Sequence, residues 1–201
     1  MLRLENITIE FDNTIIVENL NLIINHGDHI CLWGPSGSGK TSILKLIMGI
    51  ILPAQGNIYY QNKIVNENNI ADLRKQIAWI PQNINLSSKN GRELSDFLNI
   101  RSDKYDVIYD KLLTLGLDSS FFERNFNEIS IGQKQRVIIA IALSISKKIL
   151  MLDEPTSALD EESVNMMIKS VLSDRSTSVI SASHDHIWAD ANDRLIKINA
   201  E

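Results

Sequence analysis

The chain has 201 residues, with 20 Lys+Arg against 25 Asp+Glu, a formal net charge of −5, 44% hydrophobic and 22% charged residues. These proportions exclude a disordered or fibrous chain and fit one domain, alone or with a small inserted subdomain, with ample material for a core. The acidic balance argues against nucleic-acid binding through bulk charge, and a lone cysteine, Cys31, excludes an internal disulfide.

Met1 to Glu5 places an acid early and no apolar run follows, so no secretory signal is expected. The longest apolar stretches, 46–52 and 137–143, fall far short of the roughly 20 residues a bilayer span needs. A soluble protein is expected, reaching a membrane only through a partner or a surface. Residues 2–9 alternate, and 15–17 and 20–24 are apolar or β-branched, which predicts short antiparallel strands split at Asp12-Asn13 and Glu18-Asn19. Residues 30–33 form a buried strand, and 41–48 a helix stopped by Gly49. Residues 58–60 and 63–65 form a hairpin around Gln61-Asn62. A short helix at 71–76, a strand at 77–80 ended by Pro81, and a polar loop at 83–90 follow. Helical runs at 94–100, 105–115 and 121–124, with no strand signal, mark 83–129 as a candidate helical subdomain. From there a helix at 132–146, a strand at 149–152, a helix at 161–174, a strand at 179–182, a helical turn at 186–191 and a strand at 194–198 alternate. That alternation predicts a parallel sheet with helices on its faces.

Gly34-Pro35-Ser36-Gly37-Ser38-Gly39-Lys40-Thr41 matches G-x-x-x-x-G-K-[ST] between a predicted strand and a predicted helix. Glycines let successive N–H groups curl around phosphate oxygens, and the helix N-terminus adds partial positive charge. Lys40 reaches the β/γ-phosphates and the Thr41 hydroxyl is placed to ligate Mg²⁺. The strand at 149–152 runs into Asp153-Glu154 at the carboxyl edge of the sheet, where open α/β folds bind ligands. Asp153 is then positioned to hold Mg²⁺ through water, and Glu154 to accept a proton from attacking water. The bland alternatives are a glycine-rich turn with a solvated lysine and an idle acidic strand end.

With Gln82, Ser130-Ile131-Gly132-Gln133, Ser157-Ala158-Leu159-Asp160 and His184, these motifs occur in the order of an ATP-binding-cassette (ABC) ATPase, which the chain resembles from Phe11 to the last strand. Ile129-Ser130-Ile131-Gly132-Gln133 is similar to the family's Leu-Ser-Gly-Gly-Gln signature. The resemblance implies an α/β P-loop NTPase fold with a mostly parallel core sheet, an N-terminal antiparallel β-layer and an inserted helical subdomain. The core and β-layer would span 1–82 and 130–201, and the helical unit 83–129. It also implies ATP and Mg²⁺ as cofactors. Phe11 would stack on adenine, against the plain reading of a core aromatic. Gln82 would sense Mg²⁺ and water and link to the helical unit, and His184 would contact the γ-phosphate and align Glu154. Ser130, Gly132 and Gln133 would face the nucleotide of a second subunit, and Asp160 would run across the dimer interface. The expected partners are a transmembrane permease and a homodimeric or paralogous ATPase subunit, at the cytoplasmic face of the membrane, with no nucleic acid.

Ile131 departs from the family's glycine and adds a β-branched side chain beside the second subunit's nucleotide, so a working but slower composite site is expected. A soluble ABC-type ATPase acting on DNA or ribosomes is the competing reading, weakened by the lack of sustained heptads between the motifs and by the single cassette. A small-molecule kinase would leave Ser130 and His184 unexplained. His184-Asp185-His186 makes a poor zinc site without a third strong ligand. His26 and His29 read as surface residues, and Cys31 as a small buried hydrophobe.

Overall fold

In the computed structural model, residues 1–199 are described; the last two residues of the predicted core segment lie outside them. Strand β1 (Leu2–Phe11) turns back at Asp12-Asn13 into β2 (Thr14–Ile24). Both turn residues have positive φ, +47° and +63°, a twist that suits a two-residue hairpin and that Asp and Asn tolerate. The break expected at Glu18-Asn19 does not occur. Asn6 (φ +50°) and Asn19 (φ +49°) take left-handed conformations and the register shifts nearby, so both strands bulge and continue. After β3 (His29–Trp33) and α1 (Lys40–Ile47), β4 (Gln55–Tyr60) and the short β5 (Lys63–Ile64) pair around Gln61-Asn62, again with positive φ. These strands make an antiparallel layer in the order β2-β1-β4-β5.

Helix α2 (Ile70–Arg74) precedes β6 (Ile77–Ile80), and the chain then enters residues 83–129, which hold α3 (Gly91–Phe97), α4 (Tyr105–Thr114) and 3₁₀ turns at Ser102–Lys104 and Ser119–Phe122. Helix α3 starts three residues before the apolar spacing indicated. Asn90 accepts from the Glu93 N–H while Glu93 accepts from the Lys89 N–H, so a side-chain cap sets the start. Beyond it come α5 (Ile131–Ser144), β7 (Ile149–Asp153), α6 (Glu161–Val171), β8 (Ser178–Ser183), α7 (His186–Asp190) and β9 (Arg194–Lys197). Helix α6 ends short of Asp174, whose carboxylate instead closes a turn by accepting from the backbone N–H and the hydroxyl of Ser176.

The second sheet runs β6-β7-β8-β3-β9, parallel at each pairing. Every residue of β7 and β8 is buried, as strands covered on both faces require. Period-two alternation sends Ile149 and Met151 to one face and Leu150 and Leu152 to the other. The first face packs with Ile43, Leu44 and Ile47 of α1 and with Leu4 and Ile24 of the β-layer. The second packs with Val137 and Ile139 of α5, and that cluster continues without interruption into Ile108 and Leu112 of α4 and Phe122. The helical segment therefore rests on α5.

Two expectations about isolated residues divide. Cys31 is fully buried, and burial pushes its thiol up to about 11. It is predicted to resist alkylation by iodoacetamide at pH 8 in the native protein and to react at once after denaturation. His29, expected at the surface, is wholly buried at the start of β3. Its Nε2 lies 3.3 Å from the Thr177 carbonyl, a partner 148 residues away in sequence, and burial, followed by the Arg175 charge, lowers its pKa.

Candidate functional site

Strand β3 delivers the chain into the glycine loop at the carboxyl edge of the parallel sheet. Gly39 precedes α1 at φ +94°, and a Cβ there would sit 2.7 Å from Val17 Cγ2 and 2.9 Å from Ile16 Cγ2. Only glycine lets the loop pass under β2 with that curvature. No side chain caps α1, in contrast to α5, capped by Ser130, and α6, capped by Asp160. The first N–H groups of α1 thus keep their capacity to hold an anion.

Lys40 is buried, and its Nζ donates to the carbonyls of Gly34 (2.8 Å) and Pro35 (2.9 Å). The same ammonium lies 3.6 Å from Glu154 Oε1, so the one buried cation of the loop already faces the acidic strand end. Thr41 Oγ1 is 2.9 and 3.0 Å from the two Asp153 oxygens, to which it donates. Burial raises the Asp153 pKa, with the Thr41 hydrogen bond opposing it and the Glu154 charge adding to it. A carboxylate desolvated in this way beside a hydroxyl is a donor set suited to a hard divalent cation. The buried Ser38 hydroxyl has no partner, a further polar atom left open in the loop.

Glu154 follows β7 in a left-handed conformation, φ +50°. Its Oε2 is 2.9 Å from His184 Nδ1, although no donor is aligned on it for a hydrogen bond. His184 stands just beyond β8 with its side chain 57% exposed. Phe11, the last residue of β1, is 44% exposed rather than in the core. A cavity of about 330 Å³ gathers Phe11, Ser36, Lys40, Thr41, Gln82, Glu154 and His184 on its wall, with Ile16 completing one side.

Of the residues singled out from sequence, Gly34, Pro35 and Asp153 lie behind that wall, held to it by the Lys40 and Thr41 hydrogen bonds, and Ser130, Gly132, Gln133 and Asp160 do not line the cavity. Ser130 and Gln133 form a reciprocal cap, with Gln133 N–H on Ser130 Oγ (3.1 Å) and Ser130 N–H on Gln133 Oε1 (2.9 Å). A Cβ at Gly132 would lie 2.4 Å from the Ala158 carbonyl, so α5 and the segment leading to Asp160 touch closely. Asp160 accepts from the Ser163 N–H at 2.8 Å, which lowers its pKa. Ile131, beside this group, is 78% exposed. Among the described residues no group of three or more His, Cys, Asp or Glu side chains is placed to hold a metal, at His184-Asp185-His186 or elsewhere. Three site residues were not among those predicted, Ser42 on the cavity wall just past the glycine motif, Ile16 and Gln135. Ile16 carries no chemistry to betray it. Gln135 donates to the Glu154 carbonyl (3.4 Å), and its signal was a polar residue on the stripe of Ile138, Ile139 and Ala142.

A strand, a glycine loop with an uncapped helix behind it, and an acidic strand end on β7, one strand removed in the same parallel sheet, define a P-loop nucleotide-binding protein. Residues 17–157 match the ABC transporter family, and the chain belongs to it. It is 32% identical to the ergothioneine transport ATP-binding protein EgtV of Helicobacter pylori over 90% of this chain and 89% of that one. It is also 32% identical to the spermidine/putrescine import ATP-binding protein PotA of Mycoplasma capricolum over 99% of its own length, spanning 59% of that relative. Among solved structures, a dimeric ATP-binding cassette in a post-hydrolysis state with ADP and Pi superposes with a TM-score of 0.80 at 25% identity, covering 100% of this chain and 97% of that one. The chain is accordingly an ATP-binding, ATP-hydrolysing subunit of the kind that powers membrane transporters.

Proposed function

We propose that this chain is one of two ATPase subunits that drive a transmembrane permease from its cytoplasmic face. The convergence of Lys40, Thr41, Glu154 and His184 on one cavity, with Asp153 hydrogen-bonded behind Thr41, carries the reading. The loop from Gly34 to Thr41 cradles the phosphates through backbone N–H groups, Lys40 turns from its carbonyl partners to the β/γ-phosphates, and Phe11 stacks on the base. Thr41, Asp153 and Gln82 would hold Mg²⁺, which would supply charge neutralisation for the transferred phosphoryl group. Glu154 takes the proton of the attacking water, and His184 orients that carboxylate and contacts the γ-phosphate.

Ser130, Gly132, Gln133 and Asp160 are assigned to the nucleotide of a second copy or a paralogue. Their absence from the cavity wall of their own chain supports this, as does the exposure of Ile131 beside them. Residues 83–129 are assigned as the helical subdomain set against a core of 1–82 and 130–201. Between them a mostly apolar groove of about 420 Å³ follows Gln82, lined by Trp79, Pro81, Ile84, Leu86, Leu94 and Leu98. We assign this groove to the permease.

No described helix is long and apolar enough to cross a membrane, and the spanning part is assigned to the permease. The test is affinity purification from native membranes. A multi-span membrane protein is expected to copurify with the parent chain and to be lost with Leu98→Asp, which charges the exposed rim of the groove while sparing the nucleotide site. Copurification with ribosomes or DNA in its place would overturn the reading.

A further inference from the structure

Glu154 occupies a backbone conformation that a residue with a Cβ keeps only when its surroundings hold it there. Its N–H donates to the Ala182 carbonyl at 2.8 Å, which ties it to β8. Its carbonyl accepts from the Ser157 N–H (3.4 Å), the Ser157 hydroxyl (3.1 Å) and the Gln135 amide (3.4 Å). The first two are local turn contacts. The third comes from α5, and Gln135 is itself 5% exposed, so no bulk water competes for that carbonyl.

The neighbours of Gln135 point elsewhere, as successive residues 100° apart on a helix must. Lys134 Nζ donates to the Ile84 carbonyl at 3.0 Å, just beyond Gln82, and Arg136 Nη1 to the Leu115 carbonyl at 2.9 Å, at the end of α4. Of the three, Gln135 alone is aimed at the catalytic end of β7.

We propose that Gln135 is a positioning residue for hydrolysis: its amide secures the left-handed turn at Glu154 and thereby keeps the carboxylate between Lys40 and His184. The proposal rests on the assignment of Glu154 as the base. Small displacements of a reacting group lower rate far more than binding, and Glu154 reaches the nucleotide only through its carboxylate, so the loss belongs in kcat.

The test compares Gln135→Leu and Gln135→Glu with the parent, using phosphate release and the affinity for a fluorescent ATP analogue. Gln135→Leu is expected to lower kcat by about ten- to a hundredfold while the affinity stays within about twofold. Glutamate at this buried position still donates when protonated and repels the carbonyl when ionised. The ratio of Gln135→Glu to parental kcat is therefore expected to fall as pH rises. A merely structural role would lower melting temperature and affinity together and leave that ratio flat. Parental kcat in Gln135→Leu, parallel losses of kcat and affinity, or a flat ratio would each overturn the proposal. Should Gln135→Leu not fold, the pH ratio decides alone. Glu154→Gln is assayed alongside. Turnover in that variant removes the base assignment itself, whereas an inactive Glu154→Gln beside a fully active Gln135→Leu removes only the role of Gln135.

Discussion

Glu154→Gln is expected to bind ATP at least as tightly as the parent and to lose turnover by about a hundredfold or more, the range a positioned general base contributes. The two side chains match in size, and Lys40 keeps its two carbonyl acceptors at Gly34 and Pro35 when the carboxylate goes. The fold and the phosphate cradle should therefore survive, while the group that accepts a proton does not. One negative charge also leaves the cavity beside Asp153, which lowers repulsion against a triphosphate. Bound ATP that is not cleaved should then hold two chains together around it, and size-exclusion chromatography with light scattering is expected to show an ATP-dependent dimer. Melting temperature without nucleotide should match the parent and serves as the control for folding. Phosphate release at the parental rate would remove Glu154 from its assigned role.

What was legible in the sequence was whatever chemistry needs contiguous residues. A phosphate cradle requires eight adjacent positions with glycine at fixed places, and an acidic strand end requires an apolar run followed by Asp153-Glu154, so both could be read locally. The sheet was legible for the same reason: strands buried on both faces read as short apolar runs. Gln82 and His184 carry no local mark and entered only through the resemblance; they reach the cavity because β6 and β8 end at the same sheet edge. The misreadings have common causes. Asn19 looked like a turn because asparagine tolerates positive φ, yet the same tolerance serves a bulge inside a continuing strand. The start of α3 was set by Asn90 and Glu93, while apolar periodicity speaks only for the buried face from Leu94 on. His29 is buried by contact with Thr177, a pairing that no window of neighbouring residues contains.

Lys40→Ala tests the cradle itself, and it should fail in two measurable ways. Nucleotide binding is expected to weaken by about ten- to a hundredfold, since a hydrogen bond to a charged group contributes about 1.5–3 kcal/mol and Lys40 is the one Lys or Arg side chain among the described residues that lines the cavity. Unchanged affinity by isothermal titration calorimetry would dismiss the loop as a phosphate site. The second effect is on stability without nucleotide. Burial already raises the Asp153 pKa above its ordinary 3.8, Glu154 raises it further, and the Lys40 charge opposes them. Removing Lys40 removes that opposition, so the pKa moves higher still. A carboxyl whose folded pKa is raised favours the folded state when protonated; that stability is complete below the ordinary carboxylate range and is lost as pH rises through the folded pKa. The melting temperature of Lys40→Ala should therefore lie furthest below the parent near pH 7 and approach it as pH falls through the carboxylate range. A gap that widens on acidification would contradict this account of how the buried ammonium and the two acids share the strand end.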